Sequence, residues 1–76
     1  MITVTLELPG VLPVGVRFDP GGGLLPVLEV LADAGAVPGS AVSLGFVRSL
    51  HGERVFAVAD VSELGRCVSG DVLRAV

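Results

Sequence analysis

Ile2-Thr3-Val4-Thr5-Leu6-Glu7-Leu8-Pro9-Gly10-Val11-Leu12-Pro13-Val14-Gly15-Val16-Arg17-Phe18-Asp19 opens the chain almost at once. Ile2, Val4, Leu6 and Leu8 alternate with Thr3, Thr5 and Glu7, the period of a half-buried strand. Pro9 to Pro13 supplies turn residues. Val14, Val16 and Phe18 then alternate with Gly15, Arg17 and Asp19, so the segment predicts a hairpin with a five-residue loop.

The residues after Asp19 must cover one face of that hairpin. Beyond Pro20 and three glycines, Leu24, Leu28 and Leu31 fall on one helical stripe, and Pro26 fits only the first turn of such a helix. Gly35 reads as its terminator. A loop from Val37 to Ser40 precedes a third strand in which Val42, Leu44 and Phe46 alternate with Ser43, Gly45 and Val47. Ser49 to Glu53 reads as a turn and Arg54 to Val58 as a short fourth strand. Asp60 and Glu63 have the spacing of a helix cap with its reciprocal acceptor, predicting a short helix through Leu64. Ser69-Gly70-Asp71 makes a last turn before a final strand from Val72 to Val76. One helix set against five strands in this order is an α+β arrangement of β-grasp, or ubiquitin-like, type. Residues 1 to 76 form one domain, without internal repeat or linker.

Composition narrows the possible functions. The 11 glycines and 5 prolines stay below the roughly 25–30% at which chains become low in complexity, and 51% of the residues are hydrophobic. A packed core is expected. The 17% charged content is low, with five arginines, no lysine and a net charge of −3, which argues against nucleic acid because that binding needs clustered cations. Arg17, Asp19, Glu29, Asp33 and Arg48 interrupt every apolar run, so no membrane span is expected, and no signal peptide is visible. The expected location is the cytoplasm. Low charge in so small a domain suggests apolar surface that a neighbour or partner covers.

Catalytic constellations are absent from the pattern. Gly21 to Gly23 invites a phosphate-loop reading, but the Walker pattern requires a lysine, and the dinucleotide pattern requires glycine where Pro26 stands. His51 is the one candidate base near neutral pH, and it sits in a turn beside Gly52 and Glu53. Ser49, Ser62 and Ser69 have no base assigned to them. Cys67 cannot form an internal disulfide, and one cysteine with one histidine is too few ligands for structural zinc. Cys67 is expected to be buried. Neither enzymatic activity, cofactor nor metal is expected. A covalent modifier or sulfur carrier needs a tail ending in two glycines, whereas Arg74-Ala75-Val76 continues a strand.

Candidate contact residues lie at the exposed positions of the sheet. The second strand of this arrangement is at an edge, where Arg17 points outward and free backbone groups can pair with a partner strand. Arg48 and Arg74 extend the candidate cationic surface. Val11 and Leu12 are apolar at a loop tip and form the second candidate contact.

The hairpin and helix resemble the N-terminal ubiquitin-like domain of the engulfment and cell motility (ELMO) scaffold family. Glu7-Leu8-Pro9-Gly10-Val11-Leu12-Pro13 is similar to that family's acidic–aromatic–Pro–Gly–x–x–Pro segment, and Phe18-Asp19 to its strand end. Leu24, Val27, Leu28, Leu31, Ala32 and Asp33 look like its helix, and Gly70-Asp71-Val72-Leu73-Arg74 like its last strand. The likeness is weakest from Gly35 to Gly52. Leu8 and Leu12 stand where aromatics are common, and Gly21, Gly22, Gly23 and Pro26 replace polar or basic residues. The resemblance implies a non-catalytic signalling scaffold domain that binds an active Rho-family GTPase, works with a Dock-type exchange factor and neighbours helical repeats. The alternative is a ubiquitin-like structural domain, or a modifier or sulfur carrier lacking its tail, without a GTPase partner.

Overall fold

The computed structural model describes residues 1–49 and 55–76. The alternating N-terminal residues form β1 (Ile2–Glu7) and β2 (Val14–Phe18), antiparallel with Val4 opposite Val16. Their inward positions are buried: Val4, Leu6, Val16 and Phe18, with Leu8 just beyond the strand. Gly10 takes φ +76° after Pro9, and Val11 donates its N–H to the Leu8 carbonyl at 3.5 Å. A β-branched residue at that φ would be strained.

Asp19 accepts the Gly21 N–H at 3.0 Å and caps a 3-10 turn, Pro20–Gly22. The triglycine is therefore an ordered entry into the helix. Helix α1 (Leu25–Asp33) carries Pro26 in its first turn, where the missing N–H has no intrahelical partner. Its end is a Schellman closure: Gly35, at φ +77°, donates to Ala32 at 3.0 Å, and Ala36 donates to Leu31 at 2.9 Å. Leu24 and Leu28 are fully buried against the sheet, in one cluster with Leu6, Phe18, Phe46 and Leu73.

The third strand is shorter than its alternation predicts. Gly39–Ser43 is a 3-10 turn, Ser43 donating its hydroxyl to the Ser40 carbonyl at 3.0 Å, and it buries Ala41. Strand β3 is Gly45–Arg48, so Val42 and Ser43 lie before it. A 3-10 turn repeats every three residues, so the alternation of Val42 and Leu44 reflects their contact with the core and not a strand. Strand pairing begins only at Gly45 and Phe46, opposite Ala57 and Ala75. Strand β4 shrinks to Phe56–Ala57, with Val55 and Val58 outside it. Val55 folds over the bare backbone of Gly45, where an added Cβ would come within 2.8 Å of its methyl group. Arg54 and the Leu50–Glu53 part of the expected turn, including His51, lie outside the described residues.

Asp60 caps α2 (Val61–Leu64) by accepting the Glu63 N–H at 3.1 Å. The Asp60 N–H goes to the Ala57 carbonyl at 2.9 Å, which closes the turn leading into this helix. Strand β5 is Val72–Ala75. The sheet order is β2-β1-β5-β3-β4, with β1 and β5 parallel at its centre and the other pairs antiparallel. One helix on one face of this mixed sheet is the β-grasp fold.

Candidate functional site

Backbone direction along β2 identifies its open groups. Thr5 donates its N–H to Asp71 at 3.0 Å, and Thr3 accepts from Gly70 at 2.9 Å, so these residues turn their backbones toward β5. Ile2, Val4 and Leu6 consequently turn toward β2 and bind Phe18, Val16 and Val14. The N–H and C=O groups of Gly15 and Arg17 point the other way, off the sheet edge. Pro13 and the 3-10 turn at Pro20 bracket this open segment. Arg17 is exposed on the face opposite α1, level with Thr3.

The candidate arginines do not converge. Arg74 is exposed on that same face but lies level with Glu7 on β5. Two strand spacings and four residues of rise separate it from Arg17, roughly 16 Å in the sheet. Arg48 is on the other side, drawn inward by Asp71. Its Nε and Nη2 reach Asp71 Oδ2 at 3.1 and 2.8 Å, and its side chain is only 17% exposed. Its guanidinium thus anchors β5 and leaves Arg17 as the cation of the β2 edge.

The loop-tip pair also divides. Val11 is half-buried and packs on the core, whereas Leu12 is 85% exposed. The turn bond to Leu8 folds Val11 back, which periodicity cannot reveal.

Two features escaped the sequence reading. Asp71 is 1% exposed and also accepts the Val68 N–H at 3.0 Å. An aspartate after glycine in a turn resembles a solvated one, so only the fold reveals its anchoring role. The outer side of α1 carries an apolar hollow of about 320 Å³ lined by Pro26, Val27, Val30 and Leu31.

Three further polar side chains serve the backbone. Ser69 accepts the Thr3 N–H at 3.3 Å, Ser49 donates to Val72 at 3.4 Å, and Asp60 is a helix cap. Among the described residues no three histidine, cysteine, aspartate or glutamate side chains gather as a metal site. No helix among them is long and apolar enough to cross a membrane.

Cys67 is buried, its thiol 4.0 Å from the Glu63 carbonyl. Burial pushes the thiol above its ordinary value of 9.0; Arg48 opposes the rise, and Asp71 and Glu63 add to it. At pH 8 the folded protein is expected to release only a small fraction of one equivalent to a thiol-specific chromogenic reagent, and the full equivalent in denaturant. Immediate full reaction in the native state contradicts this burial. Because the folded thiol holds its proton to higher pH than the unfolded one, this group's contribution to stability is intact below pH 9.0 and is lost as pH rises through the raised folded value.

Compared with protein-family models and with curated proteins, the chain matches none.

Proposed function

We propose that this chain is a non-catalytic protein-interaction module whose partner is an active Rho-family small GTPase, and that it serves as a scaffold domain beside an exchange factor. The observation that carries this reading is the open β2 edge, where Gly15 and Arg17 offer backbone groups beside the exposed Arg17 side chain. A partner strand adds there by β-augmentation, its acidic side chains meeting Arg17. Leu12, at the end of the same hairpin, supplies an apolar contact. The GTPase identity comes from the resemblance of the hairpin and helix segments.

The test is titration of the labelled domain with Rho- and Ras-family GTPases in GTP-analogue and GDP forms. Binding confined to the GTP form is expected, with at least tenfold weakening by Arg17→Glu, or about 1.4 kcal/mol. No binding at about 100 μM, where the free energy is near −5.5 kcal/mol, overturns the GTPase reading and favours a ubiquitin-like structural domain.

A further inference from the structure

We propose that the open edge of β2 also pairs with β2 of a second copy of this chain, forming a two-fold dimer centred on Val16 with a continuous sheet. Three antiparallel registers bring the open groups near one another, and the residues distinguish them. Centring on Arg17 sets two like charges directly opposite, which is unfavourable. Centring on Gly15 sets Arg17 against Pro13 of the other copy, which has no N–H to donate. Centring on Val16 sets Gly15 opposite Arg17 twice. All four open N–H groups and all four open carbonyls of the two strands then find partners, as two hydrogen-bonded residue pairs flanking the axis.

Side chains favour the same register. Arg17 lies across the bare backbone of Gly15 of the other copy, where no heavy atom comes within 4 Å of a built Cβ position. Along that face Thr5 is level with Gly15, and Glu7 is two residues further along β1, so the guanidinium is carried toward a carboxylate of opposite charge. On the helix side Val16 meets its own copy, and Val14 faces Phe18.

The ladder also stops cleanly. Pro13 would face Asp19 of the other copy, and the Asp19 carbonyl already accepts the Gly22 N–H at 2.9 Å. The missing proline donor therefore meets an acceptor that is already occupied. Lysine, a common protection of exposed edges, is absent from the chain. The contact is isologous, so it closes as a dimer and does not propagate.

Sedimentation equilibrium of the domain alone, from about 10 μM to about 1 mM, tests this inference without any GTPase. The expected mass rises with concentration from 7.7 kDa toward twice that value. The Gly15 and Arg17 amides gain hydrogen-exchange protection over the same range. Gly15→Arg opposes two cations across the axis and is expected to weaken the dimer at least tenfold. Adding Arg17→Glu to it faces the introduced cation with an anion and is expected to restore the dimer. A chain that stays monomeric at about 1 mM overturns the inference. So does a dimer unaffected by Gly15→Arg, or a double variant that fails to recover while its amide spectrum shows the native fold. Self-pairing is measured on the domain alone, so failure of the dimer and failure of the GTPase reading are told apart by the experiment and not by the variant.

Discussion

Phe46→Ala is expected to destabilise the domain by about 3–5 kcal/mol, the range for removing a large side chain from a sealed core. Phe46 is fully buried, and its strand joins β4 to β5, with Phe56 and Ala75 as its cross-strand neighbours. A chain of 76 residues at roughly 0.05–0.15 kcal/mol per residue has about 4–11 kcal/mol in total. The substitution therefore removes a large share of the stability and lowers the melting temperature by roughly 12 °C or more. Urea and thermal unfolding of the purified domain measure it. Leu12→Ala, at a position 85% exposed, serves as the control and is expected to change stability by less than about 0.5 kcal/mol. A loss below about 1 kcal/mol for Phe46→Ala contradicts the tight packing of this layer.

Asp71→Ala is expected to cost a similar amount, about 3–5 kcal/mol, for an electrostatic reason. Asp71 lies between the turn at Val68 and the start of β5, where its carboxylate accepts from Arg48 and from the Val68 N–H. Alanine leaves a largely buried guanidinium and a backbone donor without this acceptor. Asp71→Asn retains an acceptor for Val68 and loses the charge, so it is expected to fall between wild type and alanine. Equilibrium unfolding with and without about 1 M salt separates this pair from a surface one, because a buried pair is screened little. Strong salt sensitivity of the wild-type stability, absent in Asp71→Ala, contradicts a buried pair.

The functional reading divides along the same line between sequence and fold. Arg17 was legible because strict alternation on both sides of a short turn determines which residues face outward. Arg74 and Arg48 were legible as charges but not as places. Arg74 lies a long way from Arg17 across the sheet, and Arg48 turns into an ion pair with a residue 23 positions later. Val11 and Leu12 are adjacent and chemically alike, yet the turn bond folds one partly onto the core and leaves the other in solvent.

Local patterns by themselves determined the N-terminal hairpin, the α1 stripe with Pro26 at its start and Gly35 at its end, the Asp60 cap and the last strand. Each depends on groups within a few residues of one another, where periodicity and backbone preference act directly. Tertiary structure alone decided where β3 begins, how short β4 is, that Asp71 is an anchor, and which backbone groups of β2 remain open. Those outcomes come from pairings between residues far apart in the chain. The central β1–β5 pairing turns Thr3 and Thr5 one way, and so leaves Gly15 and Arg17 facing the other.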